Sequence, residues 1–269
     1  MNPRNGVLAA LLVSLALPVA HHARAQDMAL EEIVVTARKR DESLLKIPVS
    51  VSAKSQAQLE RAGIDNPEEL SFFVPGLDFQ GSTASGGRQN PSISFRGMIQ
   101  QTITPSTQTG ALFWDGSYVG GGGGFLPLAD VERVEVIKGP QTAQFGRNTF
   151  AGAVNIIPKL PGAEWERNLA LEYSGSQEDE YKFEAGVGGP LNDVFGLRVY
   201  AGYEKDGGDF DTQDGKPYAV FEDTTFSGTL TIDPSDRLSM KLTGYYVTAK
   251  DSGTSIGVDS RLWGTPAGQ

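Results

Sequence analysis

The most regular pattern of apolar and polar positions lies in the C-terminal part of the chain. From Pro161 onward, five segments alternate an apolar side chain with a polar or small one. These segments are Leu169 to Tyr173, Tyr181 to Val187, Phe195 to Tyr203, Phe226 to Ile232 and Leu238 to Tyr246. A period of two places such residues on one face of a β-strand. The pattern therefore predicts five antiparallel strands, each with one apolar face.

Two architectures fit this alternation, a soluble antiparallel sandwich and the wall of a membrane β-barrel. Several segments hold their phase for longer than the roughly five or six residues of an average strand. Short turns at Gly189 to Asp193 and Asp233 to Asp236 lie on either side of a long polar loop, Glu204 to Asp223, as in outer-membrane barrels. The lengths and loops favour the barrel wall, with the first, third and fifth strands directed outward.

Residues 46–160 have a mixed pattern. Val49 and Val51 alternate with serines as in a strand, whereas Asn66 followed by Pro67 and two glutamates predicts the start of a helix. Short apolar runs follow, separated by loops rich in Gly, Ser, Thr and Gln. This combination predicts a small α+β domain ahead of the five strands.

The first 25 residues predict a secretory signal peptide. Arg4 supplies a positive charge, Val7 to Ala20 is largely apolar, and Ala23-Arg24-Ala25 fits a small-x-small cleavage site. The apolar stretch is shorter than the roughly 20 residues that a transmembrane anchor needs. Residues 26–45, which follow, are mostly polar and are predicted to form a flexible segment.

Composition removes several function classes. The chain has no Cys, and its only two His residues, His21 and His22, lie in the predicted leader. Histidine-dependent catalysis, His- or Cys-ligated metal sites and disulfide scaffolds are therefore excluded, and we expect no enzyme activity, no catalytic residue and no metal or cofactor site. With 23 basic against 33 acidic residues, the chain also lacks the excess of cations that nucleic acid binding requires.

Five motifs occur in order behind this leader. They are Glu32-Ile33-Val34-Val35-Thr36-Ala37, Ser94-Phe95-Arg96-Gly97, Trp114-Asp115-Gly116, Asp130 to Pro140 and Phe145 to Ile157. Together they resemble the TonB-dependent outer-membrane receptors over almost all of residues 31–160. The resemblance implies a plug domain, residues 46–160, inside a closed barrel of about 22 strands. It also implies uptake of a scarce nutrient, most often a ferric siderophore, across the outer membrane of a Gram-negative bacterium.

The resemblance implies that Glu32, Ile33, Val34, Val35, Thr36 and Ala37 form the TonB box. In that family the box binds the periplasmic C-terminal domain of TonB, which supplies the energy for transport. The residues suit this role, because four consecutive β-branched side chains favour an extended backbone. A flexible segment with unpaired backbone groups can add as a strand to the edge of another sheet. An ordinary first strand of the plug domain is the alternative.

Two plug cations have an implied role. Arg96 and Lys138 stand where the resemblance implies residues that pair with carboxylates of the barrel wall, a contact that we call the plug–barrel latch. Lys138 replaces the usual Arg and lacks its bidentate fork, so this half of the contact is less fixed in geometry. Glu132 and Glu135 are three apart on one predicted strand and should therefore lie on opposite faces.

Substrate binding is expected on plug loops that point outward. The candidates are Arg88, Gln100 and Gln101, in loops that offer amides, hydroxyls and one guanidinium. Such groups can hydrogen-bond an organic chelator or a sugar more readily than they can bind a bare metal ion.

The predicted barrel is incomplete. At about ten residues per strand, about 22 strands need roughly 220 residues, and only about half as many follow residue 160. The expected fold is an α+β plug domain followed by antiparallel β-strands of an incomplete transmembrane β-barrel, residues 161–269, in contact with outer-membrane lipid. Five strands alone should not transport. The alternative is a secreted β-rich module that binds carbohydrate or a surface and packs its apolar strand faces into a core.

Overall fold

The computed structural model of the protein describes twelve stretches of the chain. They are residues 34–36, 42–43, 50–82, 87–98, 108–120, 123–124, 126–175, 179–208, 210–211, 217–218, 220–235 and 237–252. All lie within one compact unit, Ile33–Gln269. The predicted signal peptide, Gln100 and Gln101 fall outside the described residues.

The described elements run from a short strand pair through a mixed domain to a long antiparallel sheet. In the first part they are β1 Val34–Val35, β2 Glu42–Ser43, β3 Ser50–Ser55, α1 Gln56–Ala62, α2 Pro67–Phe73, β4 Leu77–Ser82, β5 Gly87–Phe95, β6 Gly110–Trp114, β7 Ser117–Tyr118, β8 Val131–Lys138, α3 Thr142–Phe145 and β9 Gly152–Pro158. In the second part they are β10 Glu166–Gly175, β11 Asp179–Pro190, β12 Phe195–Asp206, β13 Phe210–Asp211, β14 Pro217–Tyr218, β15 Val220–Ser235 and β16 Leu238–Ser252.

The plug domain is built on a five-stranded mixed sheet with the order β3-β8-β9-β6-β7. Strands β6 and β9 are parallel, and the other pairs are antiparallel. Strands β8 and β9 are buried along almost their whole length, whereas β3 is half-buried at the edge of the sheet. The predicted α+β domain is confirmed. Within its five-stranded sheet, β3 is the most exposed of the longer strands, and it pairs only with β8.

Local sequence signals account for helices α1 and α2. Asn66 accepts hydrogen bonds at its Oδ1 from the backbone N–H groups of Glu68 and Glu69, at 3.0 Å each, and Pro67 occupies the first turn. The predicted helix start at Asn66 is thus confirmed. Helix α1 ends at Gly63, whose φ of 63° is the left-handed conformation that glycine adopts without strain.

Two glycines allow the strands to close over Phe95. A Cβ built on Gly152 would lie 2.7 Å from the Ile137 carbonyl oxygen and 2.8 Å from the Phe95 ring, and one built on Gly110 would lie 2.5 Å from the same ring. Phe95 is fully buried. The close approach of β5 to β6 and β9 therefore depends on the missing side chains.

Residues 166–252 contain the second five-stranded sheet, which we call the wall sheet. Its order is β10-β11-β12-β15-β16 with every pair antiparallel, and its strands have 10 to 16 residues. The five predicted strands are confirmed. These strands are longer than the segments in which the sequence alternates. The predicted long loop, 204–223, contains a small pair of strands, β13 and β14.

The two faces of the wall sheet differ sharply in exposure. Large apolar side chains on the outward face are exposed to solvent; Leu169 is 68%, Leu171 70% and Leu242 69% exposed. The polar residues on the inward face are buried instead, namely Glu184, Arg198, Tyr200, Asp223, Thr225 and Thr229. A soluble sandwich would bury its apolar face. This arrangement confirms the predicted partial barrel and disagrees with the alternative module. No helix in the described part of the chain is long and apolar enough to span a membrane.

We expect Gly152→Ala to destabilise the plug domain by about 1–3 kcal/mol, because the added methyl group overlaps the Phe95 ring and the Ile137 carbonyl. Urea denaturation of the full chain measures this change. Gly120→Ala is the matched control, since its Cβ would make only an ordinary contact, 3.6 Å from the Tyr118 ring. Equal stability of the two variants would contradict the close packing.

Candidate functional site

Three residues of the predicted TonB box, Val34, Val35 and Thr36, lie against the plug domain, and Glu32, Ile33 and Ala37 fall outside the described residues. Val34 and Val35 pair with Ser43 and Glu42 as the two-residue strands β1 and β2. Val35 is fully buried. The flexibility predicted for residues 26–45 as a whole stays a prediction, since only five of these residues are described. A long-range contact, described next, adds hydrogen bonds that the local sequence does not reveal.

That contact joins Thr36 to Glu135 of β8. The backbone N–H of Thr36 donates to Glu135 Oε1 at 2.8 Å, and the Thr36 hydroxyl lies 3.1 Å from each carboxylate oxygen. Glu135 is fully buried and also accepts from Arg133 Nε at 2.8 Å. A buried carboxylate is stable only when it is paired and hydrogen-bonded. Thr36 and Arg133 together therefore supply the hydrogen bonds to the buried Glu135 carboxylate.

Glu132 and Glu135 differ in burial, but a bulge between Val131 and Arg133 interrupts the alternation of β8 on which the prediction of opposite faces depended, and both glutamates bond to Arg133. The Glu132 side chain is 46% exposed and pairs with Arg133 Nη1, whereas the Glu135 side chain is fully buried. The neighbouring edge strand β3 places Ala53 opposite Glu135 in register. The contact with Thr36 therefore lies near the edge of the sheet, where the half-buried strand β3 pairs with β8.

A buried ion pair joins the plug domain to the wall sheet. Arg198 of β12 and Asp130, just before β8, have side chains that are only 3% and 7% exposed. Arg198 Nε donates to both Asp130 carboxylate oxygens, at 3.1 and 2.9 Å, and Nη2 donates to Oδ1. A bidentate guanidinium–carboxylate pair of this kind fixes orientation as well as neutralising charge. It is the most buried plug–wall ion pair in the described residues.

The surroundings of Arg198 shape its side chain. A Cβ on Gly188 would lie 2.9 Å from Arg198 Cγ, so the glycine leaves room for the stem. Asn168 Oδ1 accepts from Nη2 at 3.4 Å, and Glu166 Oε2 lies 3.8 Å from Nη1. Among the described residues, Nη1 has no hydrogen-bond partner. The guanidinium is thus held on one edge by Asp130 and only loosely on the other.

Two further plug carboxylates meet wall cations. Lys182 Nζ lies 3.0 Å from Asp65, and Lys241 Nζ lies 2.6 Å from Asp115. Asp115 sits in the tight turn between β6 and β7 with a φ of 50°, held by a hydrogen bond of 2.8 Å from its N–H to the Ile156 carbonyl. In all three of these contacts the plug domain supplies the acid and the wall sheet supplies the base.

Polar groups continue along the wall beside the Lys182 contact. Glu184 Oε1 lies 3.6 Å from Lys182 Nζ and accepts from the Tyr200 hydroxyl at 3.2 Å. A cavity between the plug domain and the wall is lined by these residues together with Asp65 and Thr225. No group of three or more residues within the described ranges is arranged to hold a metal ion. These groups form a hydrogen-bonded contact region between the plug domain and the wall sheet.

The predicted latch residues occupy another part of the plug domain. The Arg96 backbone N–H donates to the Gly76 carbonyl at 2.7 Å, and Lys138 Nζ donates to the Pro75 carbonyl at 3.0 Å. The structure thus brings both cations to one turn. Neither pairs with a wall carboxylate in the described ranges, so the plug–barrel latch stays a prediction.

The substrate candidates remain untested by the geometry. The backbone of Arg88 lies in β5, and Gln100 and Gln101 are outside the described residues. The sequence analysis placed Asp115 and Asp130 in motifs without assigning either a charge partner, and it did not single out Asp65. A usable signal was present for Arg198, because it stands on the polar face of an alternating strand beside Gly196, Tyr200 and Gly202, where a buried cation needs a counter-ion.

Comparisons with known proteins agree with this geometry. The family described as "TonB-dependent Receptor Plug Domain" matches residues 43–153. The chain is 31% identical over 202 residues to the iron-regulated outer membrane virulence protein of Vibrio cholerae, a match that covers 71% of this chain and 30% of that protein. It is 29% identical over 227 residues to the ferric enterobactin receptor of Pseudomonas aeruginosa, which covers 76% of this chain and 30% of the relative.

A solved structure has the same fold. The ferric yersiniabactin uptake receptor FyuA from Yersinia pestis aligns with a TM-score of 0.66 at 23% identity, covering 75% of this chain and 32% of that one. The chain therefore spans about a third of the length of these relatives.

We expect Asp130→Ala to lower the free energy of unfolding by about 3–5 kcal/mol, because it leaves Arg198 buried without a counter-ion. Urea denaturation of the full chain in detergent micelles measures the loss. Lys241→Gln, which breaks the more exposed pair with Asp115, should cost less than about 1 kcal/mol.

The double variant Asp130→Ala with Arg198→Met should regain part of the loss, since neither charge is then left alone. A loss for Asp130→Ala no larger than that for Lys241→Gln would contradict the role of the buried pair.

Proposed function

Because residues 43–153 form the plug domain of the TonB-dependent receptors and the chain belongs to that family, we propose that it is the N-terminal, energy-coupled part of a receptor that takes up a ferric siderophore. The relatives are transport receptors rather than enzymes. The observation that carries the proposal is the TonB box segment docked on a buried plug carboxylate, Glu135, at the edge of a sheet that a buried ion pair holds to the wall.

The names of the relatives support the substrate class. They describe an iron-regulated outer-membrane protein and receptors for ferric enterobactin and ferric yersiniabactin. For this chain, Arg88, Gln100 and Gln101 are the proposed contacts to the chelator. A guanidinium and two amides match the acceptor-rich, anionic surface of a ferric chelate.

The proposed partner for energy coupling is the C-terminal domain of TonB. It would bind residues 32–37 by strand addition, which uses the backbone groups of that segment. In the structure, Val34 and Val35 already pair with β2, and Thr36 bonds to Glu135. TonB must therefore compete with these contacts, so the plug domain itself limits access to the box.

A pulling force on the box would next reach β3. This strand is at the edge of the plug sheet and pairs with β8 through six residues. Removing an edge strand opens a sheet locally and leaves the remaining strands paired. The buried pair of Asp130 with Arg198 would hold the rest of the plug domain on the wall while this happens. Arg96 and Lys138 are proposed to add a latch against wall carboxylates.

The proposed location is the outer membrane of a Gram-negative bacterium, after export by the predicted leader at residues 1–25. The relatives include outer-membrane proteins. The open apolar side chains on the outward face of the wall sheet support the same location, because lipid would cover them.

We expect Glu135→Ala to strengthen binding of the TonB C-terminal domain to the full chain about tenfold, because docking of Thr36 no longer competes. Hydrogen bonds to a charged group contribute about 1.5–3 kcal/mol, and isothermal titration measures the change. Glu164→Ala is the control, since it removes an exposed glutamate in the segment before β10 and should leave the affinity unchanged.

A peptide spanning Asp27 to Lys39 should bind TonB more tightly than the full chain, and Val35→Pro should abolish binding of both by removing a backbone donor. Failure of the peptide to bind, or indifference to Val35→Pro, would contradict the assignment of the box.

We expect Arg88→Ala to weaken binding of ferric enterobactin, the probe ligand, to the full chain about tenfold, since one charge-assisted contact is lost. Ligand quenching of tryptophan fluorescence reports the affinity. Arg61→Ala, on helix α1, removes the same charge away from the predicted loops. Equal affinities of the two variants would count against Arg88 as a substrate contact.

A further inference from the structure

A shallow apolar groove crosses the outward face of the wall sheet. Its floor consists of Ala185 and Ala201, which are paired in register on β11 and β12. Val187, Val199 and Phe226 form its sides. In the same row of the sheet, the two alanines stand between Leu169 and Phe226. Because the alanine side chains are much smaller, the outward surface is indented there.

Beside the groove, the next two strands carry glycines in the row of the sheet that contains Val199. Val199 pairs with Gly228, and Gly228 pairs with Gly244. A Cβ built on Gly244 would meet nothing within 4 Å. Neighbouring strands are about 4.8 Å apart, so the indentation is long enough for a segment of an acyl chain to lie in it.

A cation stands at one end of the groove. Arg167 of β10 pairs in register with Val187 and is exposed on the same face as Leu169 and Leu171. No ion pair to Arg167 occurs within the described ranges. Its neighbour Glu166 points inward, where it pairs with Lys159 at 2.8 Å. An Arg on the lipid-facing side of a barrel is unfavourable unless it reaches an anion or the interface.

We propose that Arg167 and this groove bind one anionic glycerophospholipid, with the phosphate on the Arg167 guanidinium and an acyl chain over Ala185 and Ala201. The inference rests on the proposed membrane location of the wall sheet. Charge complementarity and the apolar lining together select the occupant, since a free phosphate would leave the groove uncovered. With β10 directed outward, Arg167 near its start faces the periplasmic leaflet, which is where such a phosphate would lie.

The test uses lipids with brominated acyl chains, which quench a tryptophan that they contact. Trp165 lies on the same outward face, over Gly189, and is 53% exposed. Trp114 is buried in the plug domain, and Trp263→Phe removes the third tryptophan. The full chain is placed in vesicles that mix phosphatidylcholine and phosphatidylglycerol, with one or the other brominated.

We expect phosphatidylglycerol to be preferred roughly fivefold at Trp165. Arg167→Gln should reduce the preference to about one, because the phosphate loses its partner. Ala201→Phe should do the same by filling the groove while Arg167 remains. Arg237→Gln, which removes an equal charge at the exposed turn before β16, should keep the full preference.

Three results would overturn the site: no preference in the parent chain, an equal loss in Arg237→Gln, or a preference that survives Ala201→Phe. These outcomes leave the proposed function intact as long as both brominated lipids quench Trp165. Absence of quenching by either lipid would instead contradict the membrane placement itself, and with it the lipid site.

Discussion

Burial of a guanidinium between two sheets is the constraint on which the rest of the structure depends. Arg198 lies on the inward face of the wall sheet, where water cannot solvate it, so a carboxylate must be present. Asp130 supplies it from the plug domain, and the pair fixes the segment that leads into β8. Lys182 with Asp65 and Lys241 with Asp115 repeat the same polarity at more exposed positions. In these three pairs the plug domain supplies the carboxylate, whereas the pair of Lys159 with Glu166 has the opposite polarity.

The N-terminal edge of the plug domain is held differently. Thr36 is attached through hydrogen bonds to Glu135, and β3 through its pairing with one neighbouring strand. Opening these contacts leaves Glu135 paired with Arg133, whereas separating Asp130 from Arg198 would break a buried ion pair. The difference divides the domain into an edge that can be released and a body that stays on the wall. An energy-coupled receptor needs both properties, since it must open a path without losing its barrier.

Local signals in the sequence were sufficient for the elements but not for their contacts. Alternation predicted the five wall strands, and Asn66 with Pro67 predicted the start of α2, because each depends on neighbours along the chain. The spacing of Glu132 and Glu135 did not predict their common contact with Arg133, because a bulge in β8 interrupts the alternation there. Asp130 and Arg198 are 68 positions apart, and only the packing of the two sheets brings them together. The burial of Val35 beside the Thr36–Glu135 contact also depends on residues distant in sequence, since Glu135 lies 99 positions from Thr36.

Native-state hydrogen exchange of the full chain tests most directly whether the plug domain has a releasable edge and an anchored body. Exchange is followed by mass spectrometry at increasing denaturant below the unfolding transition. We expect the amides of residues 34–36 and 50–55 to open together at a lower free energy than those of β8, β9 and β12. A single opening free energy shared by the edge, the body and the wall would contradict this division.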